Sequence, residues 1–132
     1  MVSHRNSTHL VRIAVQKAYK VRRPAAGLIF HSDRGGNYCS KALREYLVKL
    51  GVVQSFSRPH MPYDNSVMES FFSSMKREEL YRTQYRSERE LMEAISAYMT
   101  FYNEKRPHAK LKYKTPSEVE AEYANGSPKL NN

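Results

Sequence analysis

Apolar residues recur at three- and four-residue spacing from Leu10 to Val21, at Leu10, Val11, Ala14, Val15, Ala18 and Tyr19. That period predicts a helix with a basic outer face, ended by Arg22-Arg23-Pro24 because proline cannot continue it. Gly27 then opens a short apolar run, Leu28-Ile29-Phe30, of the kind that forms a buried strand. The run stops at His31-Ser32-Asp33-Arg34-Gly35-Gly36, where paired glycines allow a sharp turn. Leu43, Tyr46, Leu47 and Leu50 share one face of a second helix, from about Lys41 to Leu50, with Gly51 at the position favoured after a helix end. Val52-Val53-Gln54-Ser55-Phe56 reads as a second strand. A helix between two short strands is a βαβ pattern, so the two strands are expected to be parallel.

The second half reads as helical. Ser57–Tyr63 contains two prolines and should be a loop. Asp64 is placed to cap a long helix from about Asn65 to Leu80. Ser87-Glu88-Arg89-Glu90 is a capping-box pattern opening a helix that runs to about Asn103. Thr115-Pro116-Ser117-Glu118 repeats the pattern with proline in the first helical position, and Asn125-Gly126 closes that short helix. One domain over 1–126 and a disordered tail over 127–132 are expected.

Charge sharpens this picture. The chain of 132 residues carries a net charge of +9. All of the excess lies in residues 1–63, where eleven basic residues face only Asp33 and Glu45, while residues 64–132 are neutral. Such a half suits a polyanionic partner, nucleic acid first, although a merely soluble basic surface has the same composition. No apolar run approaches the roughly 20 residues of a membrane span, and the N-terminus lacks the apolar core of a signal peptide. The single cysteine, Cys39, cannot form an internal disulfide. These features point to a cytoplasmic protein without a membrane partner.

Two carboxylates stand out. Asp33 follows a predicted parallel strand, and ligands of open α/β sheets gather at the carboxyl ends of strands. An aspartate there can equally do no more than shape the turn into Gly35. Glu69 lies one turn into the long helix, with Asn65, Ser73 and Lys76 within roughly 40° of it around the axis. Val67, Met68, Phe71, Phe72 and Met75 occupy most of the other side, so one stripe should pack and the other face solvent or a ligand. His31, Cys39 and His60 match no structural zinc spacing.

The segments HSDRGGNYCS, SFSRPHMPYDNSVMESFFSSMKREEL and YMTFYNEKRPHAKLKYKTPSE, taken together, resemble the integrase-like catalytic core of bacterial insertion-sequence transposases. The most similar group makes its transposase by frameshifting between two overlapping frames, and the resemblance runs from about residue 10 to 120. It implies an α/β, RNase H-like fold, related to retroviral integrases, with a helical C-terminal extension. It also implies an Asp-Asp-Glu triad that holds two Mg²⁺ or Mn²⁺ ions for phosphoryl transfer on DNA. Asp33 and Glu69, separated by 35 residues, match the second and third carboxylates of that triad in identity and spacing. Lys76, seven residues after Glu69, matches the family's basic residue on the same helix and would contact DNA. Arg34, Arg58 and Asn65 are further candidates for positioning the strand. Tyr102, Asn103, Arg106 and His108 match the family's YN…RPH segment, either as a DNA contact or as the end of a helix before Pro107.

The sequence departs from the family at its start. No acidic residue precedes Asp33, so the first aspartate of the triad has no counterpart, and neither do the family's first three strands. The expectation is therefore an incomplete, C-terminal part of the core, inactive alone, whose unpaired strand edge invites association. Its partners would be transposon ends and target DNA, with a second copy or a full-length transposase as protein partner. The alternative is a non-catalytic fragment that binds DNA or interacts with a transposase.

Overall fold

The structure, a computed structural model, describes residues 7–126; the expected tail at 127–132 lies outside the described residues. The elements run α1 (Thr8–Arg22), β1 (Ile29–Ser32), α2 (Lys41–Lys49), β2 (Val53–Phe56), a 3₁₀ turn (Pro62–Asn65) and α3 (Ser66–Met75). A π turn (Lys76–Leu80), α4 (Glu88–Glu104), a second 3₁₀ turn (Ala109–Leu111) and α5 (Pro116–Ala124) complete the order. The chain divides into two compact units, Met1–Phe71 and Phe72–Asn132, with the boundary inside α3.

The first unit is the βαβ arrangement with α1 added. Ser7 caps α1 by accepting from the Leu10 N–H, and Arg23 ends it in the left-handed conformation (φ 44°), donating to the Tyr19 carbonyl. β1 and β2 pair in parallel, with Ile29 opposite Val53 and Ser32 opposite Phe56. Leu43 and Leu47, fully buried on α2, join Val52 to form the core. Val11, Val15 and Tyr19 of α1 and Phe30 of β1 pack onto it, a single i, i+4 row from the broader stripe seen in the sequence. Gly51 takes φ 69°, the left-handed turn that closes a helix most cheaply without a Cβ.

The strand expected to be buried is covered on one face only. Phe30 and Ser32 point toward the helices, whereas Ile29 and its neighbour Val53 remain 64% and 53% exposed. The cause is pleat geometry: successive side chains alternate, and α1 and α2 serve only one side of a two-stranded sheet. The stripe on α3 likewise packs in part, with Met75 buried while Val67, Met68 and Phe72 stay exposed. Periodicity marks a face that can be buried, and a covering surface decides whether it is.

The second unit is built on helix ends. Ser87 caps α4 by accepting from the Glu90 N–H, while the Glu90 carboxylate accepts from the Arg86 N–H rather than closing the box on Ser87. At α5 the box is complete: Thr115 Oγ1 accepts from the Glu118 N–H, and the Glu118 carboxylate accepts from the Thr115 N–H. Lys112 and Tyr113 are consecutive left-handed residues (φ 55° and 63°) in a turn held by donation from the Tyr113 N–H to the His108 carbonyl. No helix among the described residues is long and apolar enough to cross a membrane.

Candidate active site at the carboxyl end of the sheet

Both strands end at the same edge of the first unit, and the loops that follow them are tied together. The parallel ladder continues one step past β2, with the Ser57 N–H donating to the Ser32 carbonyl at 2.8 Å. Asp33 comes directly after that rung. Its Oδ1 accepts from the Gly35 N–H at 2.8 Å, an Asx turn that fixes the carboxylate, and Ser32 Oγ donates to the Asp33 carbonyl at 2.8 Å. The turn reading of Asp33 is therefore correct as far as one oxygen goes. The side chain is exposed and, among the described residues, makes no ion pair, so its second oxygen is available to a cation.

Arg34 bridges the two loops. Its Nε donates to the Ser57 carbonyl at 3.3 Å, and its guanidinium lies over the Phe56 ring at 5.7 Å. On the exposed face of the sheet, His31 hydrogen-bonds Ser55 Oγ through Nδ1 (3.0 Å) and Ser57 Oγ through Nε2 (3.2 Å). Cys39 donates weakly to the Arg34 carbonyl. Among the described residues no three His, Cys, Asp or Glu side chains gather closely enough to hold a metal, so His31, Cys39 and His60 form no zinc site.

Asp64 does not cap the long helix. It sits in the 3₁₀ turn and accepts a fork of bonds from Arg58: the backbone N–H (2.9 Å) and Nε (3.0 Å) to Oδ2, and Nη2 (2.9 Å) to Oδ1. That guanidinium holds the Asp64 carboxyl well below the usual carboxylate range, with a smaller electrostatic contribution from His31. The same bonds raise Arg58. A charge-assisted fork of this geometry out-competes a helix cap, which satisfies one backbone N–H only. The Ser57–Asn65 loop is thereby closed on itself just before α3, and Arg58 remains largely exposed while bound.

Asn65 is the last residue of the 3₁₀ turn and half-buried. Glu69 stands in the first turn of α3, exposed and, among the described residues, without an ion pair. An acidic group in a first turn is favoured by the helix dipole. Asp33, Arg34, Arg58, Asn65 and Glu69 all belong to the first unit. Lys76 belongs to the second, where it opens the π turn and is exposed. Asp33 and Glu69 each present accessible carboxylate oxygens, hard donors of the kind that divalent cations take.

The YN…RPH segment is internal structure. Arg106 makes a fork to Glu78 (Nη2 to Oε1 at 2.6 Å, Nε to Oε1 and Oε2 at 2.9 and 3.0 Å), and Tyr98 donates its hydroxyl to Glu78 Oε2 at 2.9 Å. His108 Nε2 donates to the Tyr102 carbonyl at 3.1 Å, its ring edge-on to the Tyr102 ring at 4.4 Å. Arg106 holds Glu78 below its ordinary value, while burial, with help from Glu78, pushes the Tyr98 hydroxyl up to about 12. Neither Glu78 nor Tyr98 stands out in the sequence, because the partners are 20 and 28 residues away with no periodic relation.

Profiles of the integrase core domain match residues 50–116 and, in a second profile of the same description, residues 1–62. The chain is 38% identical over 120 residues to the transposase for insertion sequence element IS904 of Lactococcus lactis, which takes in 90% of this chain and 47% of that protein. It is 35% identical over 123 residues to the insertion element IS600 uncharacterized 31 kDa protein of Shigella sonnei, covering 92% of this chain and 45% of the relative. The chain thus spans less than half the length of these curated relatives. The crystal structure of the catalytic core domain of BIV integrase aligns with a TM-score of 0.69 at 21% identity, over 95% of this chain and 79% of that one. The fold is accordingly the α/β, RNase H-like arrangement of retroviral integrase cores.

Proposed function

Because the chain belongs to the integrase core domain family, we propose that it carries part of a DNA strand-cleavage and strand-transfer site used in transposition. The observation that carries this reading is the position of Asp33: an exposed carboxylate at the carboxyl end of a parallel strand, with 35 residues between it and the equally exposed Glu69. Asp33 and Glu69 would hold Mg²⁺ or Mn²⁺, which when bound supplies the charge that activates an attacking oxygen and stabilises a leaving one. The Asx turn orients Asp33 before any ion arrives, and the Arg58–Asp64 fork fixes the loop leading to Glu69. Arg34, Arg58, Asn65 and Lys76 would contact the DNA strand, with phosphates as the principal partners. Transposon ends and target DNA are the proposed substrates, with a second copy or a longer transposase as protein partner.

By itself this 132-residue stretch supplies two carboxylates of a triad, and no three potential ligands gather among its described residues. That observation favours a second reading for the isolated stretch: DNA binding without cleavage. Anisotropy against a labelled duplex should show affinity falling steeply with salt, since the net +9 lies in residues 1–63. Metal-dependent cleavage should be absent until a segment carrying the family's first strands and their aspartate is joined ahead of residue 10. It should then be lost in Asp33→Asn and Glu69→Gln. Salt-independent binding, or full activity of the joined Asp33→Asn protein, would refute the proposal.

A further inference from the structure

Lys76 opens a turn that carries two acids, Glu78 and Glu79, and both bond to other side chains. Glu78 is bound by the Arg106 fork and the Tyr98 hydroxyl, with side-chain exposures of only 25% for Arg106 and 30% for Glu78. Glu79, three residues after Lys76 and therefore its natural helix-surface partner, instead accepts from the Tyr85 hydroxyl at 2.9 Å. The backbone here is unusual. The Tyr81 N–H donates to the Lys76 carbonyl at 2.9 Å, the five-residue closure of a π turn. Such turns are rare, less favourable than continued α-helix, and persist where surrounding contacts require them. The contacts that meet this requirement come from α4 and the segment just after it, in the same unit.

We infer that Arg106 is a positioning residue for Lys76: its fork to Glu78 holds the π turn open and withdraws a carboxylate, so that Lys76 is presented to a DNA phosphate as an unneutralised cation. This rests on the reading of Lys76 as a DNA contact and gives the RPH segment a role through its arginine's bonds within the protein. If the fork is lost, the π closure is free to open, and the Tyr81 N–H leaves the Lys76 carbonyl for solvent. Glu78 is then released as a mobile anion two residues from the lysine.

The test uses the full chain, a labelled duplex and anisotropy over a range of salt. Lys76→Ala is expected to weaken binding about five- to tenfold and to lower the salt slope by about one, as for one lost phosphate contact. Arg106→Ala should reproduce both changes, and adding Lys76→Ala to it should cost no further affinity. Arg106→Lys keeps the charge but not the fork, so the chain stays folded if the alanine variant does not; it should show a smaller loss that is again non-additive with Lys76→Ala. Hydrogen exchange supplies a second readout: the Tyr81 amide should lose protection in both Arg106 variants while amides in the middle of α4 keep theirs. Additive losses, or an unchanged Tyr81 amide, would overturn the inference while leaving Lys76 as a contact. No effect of Lys76→Ala on affinity or slope would instead remove the Lys76 reading, and the inference with it.

Discussion

Gly35 and Gly36 are adjacent, yet the structure gives them opposite sensitivities. A Cβ added at Gly35 would lie 2.9 Å from Asp33 Oδ1 and 3.4 Å from Tyr38 Cδ2, whereas one added at Gly36 would meet nothing within 4 Å. Neither glycine adopts a positive φ, so alanine is not excluded by the backbone at either position. In Gly35→Ala the carboxylate must swing off the new methyl, which breaks its 2.8 Å bond to the Gly35 N–H. For an exposed, charge-assisted bond the loss is about 1 kcal/mol, partly offset in overall stability by about 0.4–1 kcal/mol from the less flexible unfolded chain. Melting temperature should therefore barely move. What should move is Mn²⁺ affinity, because an aspartate no longer pre-oriented has to be re-ordered on binding; about 1 kcal/mol corresponds to a roughly fivefold weaker Kd. Calorimetric Mn²⁺ titration of Gly35→Ala, Gly36→Ala and the parent chain is the assay. Gly36→Ala should bind as the parent does. Equal affinities for the two alanine variants would refute the idea that the Asx turn prepares Asp33 for a cation.

Two further outcomes follow from packing and charge. Leu47→Ala opens a cavity in a core where, among the described residues, Leu43 and Leu47 are the fully buried large side chains, and should cost about 2–5 kcal/mol; a urea midpoint shift corresponding to less than about 1 kcal/mol would mean that the βαβ core is not what holds the first unit together. Glu78 has a folded-state pKa below its ordinary value of 4.5, so its pairing with Arg106 contributes stability that is fully present above that pH and is lost as pH falls through the lower folded value. Acid should thus destabilise the parent below about pH 4.5, and Glu78→Gln should flatten that dependence; identical profiles in urea melts would count against the pairing.

Local signals carried much of the fold and little of the polar wiring. The α1, α2 and strand positions were legible because spacing of apolar residues reports burial directly, and the caps at Ser87 and Thr115 because the required side chains sit three residues apart. Asp64 was misread as a cap for the same reason: sequence shows a residue able to cap, but not the Arg58 fork six residues back that competes for it. The exposure of Ile29 and Val53 was hidden because a continuous apolar run does not say how many faces are covered. Asp33 and Glu69 stood out by residue type and spacing, whereas Glu78 and Tyr98 became visible only once α4 and the turn before it were placed side by side.

Asp33 and Glu69 are proposed to bind one and the same divalent-ion site. Fe²⁺ can stand in for Mg²⁺ or Mn²⁺ at hard oxygen ligands, and with ascorbate and peroxide it cuts the polypeptide backbone close to where it is bound. Mapping those cuts on the intact chain tests the claim without any need for DNA cleavage. Cuts are expected in two places, around residues 31–35 and around 67–71. Both should be suppressed by excess Mg²⁺ or Mn²⁺, and both should disappear together in Asp33→Asn and in Glu69→Gln. Cutting at only one of the two segments, or at both with each variant abolishing only its own, would show that the carboxylates do not share an ion and would contradict the account.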